Sequence, residues 1–278
     1  MANLTPRAWP RQSRLALVAV ICLGAMAVLV LTPRVPIGAS YHVFADDRKI
    51  LGISNAWNVV SNIPFFVVGL WGLIRLGGRA GCSFFLDPRE RVPYLIFFAG
   101  VMLTGIGSFW YHLAPSDARL PWDLLPMTCS FVALLVATYM ERVNLRAGFL
   151  ALIPALVLGM STVLYWYFSA ALGREDYKYY LFLQFFSPVV LALLIGLFPP
   201  RYTGMRYLAI AFGLYVLAKL FESYDASFYR HLGNQLSGHS LKHVTAAVAC
   251  FWILEMLRCR HPVSSRPPVS HLHSTSVK

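Results

Sequence analysis

Eight apolar stretches, each near the roughly 20 residues that a bilayer's hydrocarbon core requires, decide what this chain can fold into. They cover residues 15–31, 57–76, 93–113, 122–140, 147–168, 180–198, 205–224 and 238–257. Only 13% of the residues are charged and 58% are hydrophobic, where a soluble domain carries about a quarter charged residues. In hydrocarbon a segment must satisfy its own backbone polar groups, and a helix does so locally. The predicted fold class is all-α, a polytopic membrane helix bundle. The connecting loops are short, so helices adjacent in sequence are expected to pack as neighbours.

Charge distribution orients the bundle. The net charge of +12 would suit a nucleic-acid partner, but the basic residues form no single patch and no nucleic-acid motif is present, so none is expected. With the N-terminus inside, fifteen of the Lys and Arg residues fall in inside segments and seven in outside ones. This is the bias expected of cytoplasmic loops, and it places both termini in the cytoplasm, as in a bacterial inner membrane protein. Residues 15–31 exceed the 7–15 apolar residues usual for a signal peptide, which favours an uncleaved span; the small residues Gly38-Ala39-Ser40 keep the cleaved alternative open. Residues 1–40 thus form a cytoplasmic N-terminus and first span, 41–258 the membrane domain, and 259–278 a Pro-, Ser- and His-rich tail expected to be disordered. His271 and His273 in that tail are expected to be unstructured rather than metal-bound. The five cysteines lack metal or redox spacing and read as free thiols.

Polar residues interrupt the apolar pattern at three places. Ionisable groups at membrane depth are costly and mark function by default. Ser108, His112 and Asp123 lie at the seam between the third and fourth spans, and His239 and His243 open the last. A separation of four puts the last two imidazoles on one helical face, a spacing by which one helix offers two nitrogens to zinc. His112 is the natural third ligand, and three protein ligands with an open position is the catalytic zinc pattern. Ser108 faces the same way one turn deeper, and a short loop bounded by Pro115 and Pro121 returns Asp123. Taken singly, a membrane histidine can simply bond a neighbouring helix, the serine its own i−4 carbonyl, and the aspartate a helix start. Their coincidence at one depth favours a shared site. Lys219, Glu222 and Asp225 follow i, i+3 steps on the seventh span and are expected to form a structural ion-pair ladder, extended by Lys242. A proton path or a head-group anchor is the functional alternative.

Four segments together resemble the alkaline ceramidase family: N-A-W-N-V-V-S-N at 55–62, G-I-G-S-F-W-Y-H at 105–112, W-D-L-L-P-M at 122–127 and G-H-S-L-K-H at 238–243. That family belongs to a wider superfamily of seven-helix membrane hydrolases that includes the adiponectin receptors. The resemblance spans about residues 41–257 and leaves the first span as an extra N-terminal helix. It implies a zinc-dependent amidase that cleaves ceramide-like N-acylated lipids to a sphingoid base and a fatty acid, using water held on the metal. By motif, His112, His239 and His243 correspond to the zinc ligands, Asp123 to the general base and proton shuttle, and Ser108 to a partner of the developing oxyanion. Eukaryotic members carry an acidic calcium-binding segment that ends in glutamate; here Asn55 stands in that place. Asp46, Asp47 and Asn55 could offer oxygens to a second cation, but Arg48 and Lys49 oppose it, and calcium is not expected. The alternatives are a non-catalytic lipid-binding or signalling protein with a structural zinc, and a transporter built on the Lys219–Glu222–Asp225 ladder.

Overall fold

The computed structural model describes residues 9–263, and His271, His273 and most of the expected tail lie outside the described residues. The described chain is helical, without a named strand. Its helices are α1 (Arg11–Leu31), α2 (Ala56–Val60), α3 (Ile63–Gly77), α4 (Arg79–Cys82), α5 (Arg91–Leu113), α6 (Leu120–Arg142), α7 (Leu145–Ala171), α8 (Lys178–Leu197), α9 (Met205–Ser223), α10 (Asp225–His231) and α11 (Gly238–Cys259). Among the described residues seven helical segments, α2 and α3 counting together as one, are long and apolar enough to cross a membrane. The bent pair α9–α10 makes an eighth if taken as one span. The chain is a multi-pass membrane protein.

The buried residues of α5 show why its sequence packs as it does. Tyr94, Phe97, Phe98, Val101, Thr104, Gly105, Ser108, Tyr111 and His112 recur at three- and four-residue steps and form one inward stripe. The stripe is apolar at its start and polar at its end, so burying the helix carries Ser108 and His112 inside. On α6 the first turn is set by Pro121, whose missing N–H would be unpartnered there anyway, and Asp123 follows within that turn. The two helices cross closely at Gly107, where an added Cβ would lie 1.8 Å from the Trp122 carbonyl oxygen. Gly107→Ala is therefore expected to destabilise the bundle by at least about 1–3 kcal/mol. The check is thermal unfolding of the purified protein, with Gly213→Ala, where nothing lies within 4 Å, as the reference substitution.

Sequence neighbours pack together along most of the bundle, α5 on α6, α6 on α7 and α7 on α8, but α8 and α9 meet only sparingly. Residues 201–203 are the reason. They run antiparallel to 261–263, with Thr203 N–H donating to the His261 carbonyl at 2.8 Å and Val263 N–H to the Arg201 carbonyl at 2.9 Å. This pairing draws the start of α9 to the end of α11, on which α9 then lies. It also gives residues 260–263, assigned from sequence to a disordered tail, a fixed position. Arg260 is buried there, 2.6 Å from Glu141 and over the Tyr202 ring at 3.9 Å.

The first helix begins four residues before the apolar run, because Arg11 and Arg14 reach across the same end of the bundle. Arg11 donates to the Val143 carbonyl at 3.0 Å and Arg14 to the Leu197 carbonyl at 2.8 Å. Both ends of the described chain therefore sit at one end of the bundle. At the other end Lys178 donates to the Thr32 carbonyl at 2.8 Å, and Tyr177 N–H to the Val35 carbonyl at 2.7 Å.

Candidate metal centre

The helix ends opposite the termini bring three histidines together. His112 lies in the last turn of α5, and His239 and His243 occupy the first two turns of α11. Their donor nitrogens all lie within 4.8 Å of one another, and all three residues are buried. His112 Nε2 and His239 Nε2 are 3.3 Å apart. A tetrahedral zinc with nitrogens at about 2.0–2.1 Å holds pairs of ligands near that separation.

The surroundings orient the third ring. Ser61 Oγ donates to the Asn58 carbonyl at 3.2 Å and sits 2.8 Å from His243 Nδ1. A hydroxyl already donating accepts the Nδ1 hydrogen, which leaves the lone pair on Nε2. That Nε2 is buried and has no partner among the described residues. A buried acceptor aimed at two other imidazoles fits a metal ion, and the donor set is sound for one. Such supporting bonds usually matter about 10–100-fold in metal affinity, so Ser61→Ala is expected to weaken zinc binding by that factor in a competition with a chromogenic chelator. Ser61 lies in the 55–62 segment quoted above, but nothing local marks it as the partner of a histidine 182 positions away.

Asp123 and Ser108 are brought together as well. Both residues line one cavity of about 300 Å³ with His243. Phe97, Leu124, Phe131, Phe185, Leu208 and Phe212 are among the apolar residues that wall the same cavity. Its sides include α8 and α9, which meet each other only sparingly. Tyr215 of α9 donates to the Gln184 carbonyl of α8 at 3.3 Å across that seam.

Residues 39–49 cover the histidines from the loop side. The Phe44 ring centroid is 4.7 Å from that of His112 and 4.5 Å from that of His239. Polar contacts on both sides of Phe44 tie the cover down. His42 bridges Tyr111 Oη at 2.8 Å and Asp117 at 2.9 Å, and Ala45 N–H donates to Asp225 at 2.9 Å. Tyr41 Oη is 2.9 Å from Tyr177 Oη, and burial pushes the Tyr177 phenol above its ordinary range. Phe44, Tyr41 and Tyr177 are contributions that sequence reasoning missed, because an aromatic in a loop carries no periodic signal.

One expectation needs correcting, and one candidate residue set does not come together. Asp225 does not continue a ladder with Lys219 and Glu222. The helix breaks at Tyr224, and α10 leaves α9 at 83°. Asp225 instead accepts from His239 N–H at 2.7 Å, satisfying one of the open donors in the first turn of α11. Glu222 does pair with Lys219, and with Lys242 at 2.9 Å. The second-cation set also fails to converge. Both Asp46 oxygens are taken by Arg48 at 2.7 Å, Asn55 Nδ2 donates to the His112 carbonyl at 3.0 Å, and Asp47 is exposed. Arg48 satisfies the carboxylate that a hard cation would need.

No family model and no curated protein matches this chain. Its function is therefore argued from the site.

Proposed function

We propose that the chain is an intramembrane zinc-dependent hydrolase of ceramide-like N-acylated lipids, as the resemblance to alkaline ceramidases implies. The observation that carries this reading is the buried His112–His239–His243 cluster beside a cavity that also holds a carboxylate and a hydroxyl. Three neutral imidazoles suit zinc, and three protein ligands leave a position for reaction. Bound there by His112, His239 and His243, zinc would supply Lewis-acid activation of the amide carbonyl and of water.

The chain's own groups supply the remainder. Asp123 accepts the proton of the attacking water and returns it to the amide nitrogen as the C–N bond breaks, giving a free amine and a carboxylic acid. Ser108 lines the same cavity and offers its one hydroxyl hydrogen to the oxyanion that develops on the acyl carbon. The apolar walls take the acyl chain, and the sparse α8–α9 seam gives it a route from the bilayer. Phe44 and the 39–49 cover limit bulk water at the centre. The distribution of Lys and Arg supports cytoplasmic termini and a site toward the outer leaflet of a bacterial inner membrane.

The test is a panel of lipid amides offered to purified protein, with and without a chelator. Release of fatty acid that stops on chelation and returns with zinc is expected. Bound zinc and bound lipid without turnover would overturn the hydrolase in favour of a structural-zinc protein.

A further inference from the structure

Lys219, Glu222 and Lys242 form an ionic group that the proposed hydrolysis does not use, and all three line the same cavity as Asp123, Ser108 and His243. Glu222 holds one lysine on each carboxylate oxygen, Lys219 from its own helix and Lys242 from α11. Each ammonium has three donors. Lys219 uses one on Glu222 and otherwise lies over the Phe185 ring at 5.0 Å. Lys242 uses one on Glu222, and its other polar neighbour is His239 Nε2 at 3.3 Å. That nitrogen is one of the three that converge on the metal position, so a bound ion removes the acceptor and leaves Lys242 facing a cation. The group sets two ammonium groups against the one carboxylate between them, and Asp123 is the other carboxylate that lines the cavity. Each ammonium uses only part of its three donors on Glu222 and His239, which leaves donors on both for an anion entering the cavity.

We propose that Lys219 and Lys242, oriented by Glu222, recognise the carboxylate of a lipid whose hydrocarbon chain fills the cavity. The proposal rests on reading the centre as a lipid-amide hydrolase. The carboxylate has two possible sources: the fatty acid released by cleavage, or an acidic head on the substrate, as in an N-acyl amino acid. The two lysines bind either one by charge-assisted hydrogen bonds and hold it more tightly than a chain whose polar end is neutral.

The test is calorimetric binding to the full-length protein in nanodiscs, both zinc-loaded and chelated. The probes are dodecanoic acid, its methyl ester and N-dodecanoylglycine. The acid is expected to bind about 10–100-fold more tightly than the ester, including after chelation, the range for hydrogen bonds to charged groups. Lys242→Met and Lys219→Met should each erase much of that preference while leaving ester binding and the unfolding temperature unchanged. Lys242→Arg should keep it. Tight binding of the acid alone assigns the site to the product, and tight binding of N-dodecanoylglycine as well assigns it to an acidic substrate head. Equal binding of acid and ester in the wild type, which needs no variant, overturns the proposal. So does a preference that vanishes with the metal, since the ion would then be reading the carboxylate. Ceramide turnover is measured separately, so equal binding with turnover intact removes only this inference. A clear acid preference without turnover removes only the hydrolase.

Discussion

His112→Ala is expected to abolish zinc retention and reduce lipid-amide hydrolysis to solvent background. His112 is fully buried and presents Nε2 toward His239 at 3.3 Å, so no water-exposed group stands ready to replace it. Two remaining imidazoles on one helix would have to hold the ion alone, and an incomplete donor set binds it weakly. Metal content by atomic spectroscopy and fatty-acid release would be measured on the same preparation. A variant that retained stoichiometric zinc would remove His112 from the ligand set, whatever its activity.

Asp123→Asn is expected to separate metal binding from chemistry. The amide is nearly isosteric and Asp123 is not one of the three clustered imidazoles, so folding and zinc content should stay at wild-type levels. The proton transfer assigned to the carboxylate is lost, and kcat should fall by about 10²–10⁴-fold, the range for a positioned general acid–base. KM should change little, because the acyl chain is held by apolar walls that the substitution does not touch. Hydrolysis within a few-fold of wild type would move the proton-transfer role to another group.

The helical parts of this architecture were legible because helices are periodic. The apolar runs exposed the spans, and the four-residue step between His239 and His243 placed two rings on one face before any coordinate was known. Contacts made by loops and chain breaks were not legible. Nothing in Glu222-Ser223-Tyr224-Asp225 contains a glycine or proline to announce an 83° bend, so Asp225 read as the next rung of a ladder. Tertiary contacts decide its role, through the backbone N–H groups of His239 and Ala45. The α8–α9 separation was hidden for a similar reason. It depends on pairing between residues 201–203 and 261–263, two short segments with no strand pattern of their own. The Asp46–Arg48 pair shows the same limit at close range. The sequence displays a possible cation ligand and its opposing charge, and only the geometry shows the guanidinium on both oxygens.

Asp225 carries a consequence for how the centre behaves as a whole. One of its oxygens holds the backbone of His239 and the other the backbone beside Phe44, while Phe44 itself stacks on two of the three imidazoles. Order in the cover and occupancy of the metal are therefore linked functions of a single equilibrium. Anything that loosens the cover removes a packing partner from the ligands and disturbs the start of the helix that bears two of them. By reciprocity, an ion that fixes those ligands must tighten the cover by the same free energy.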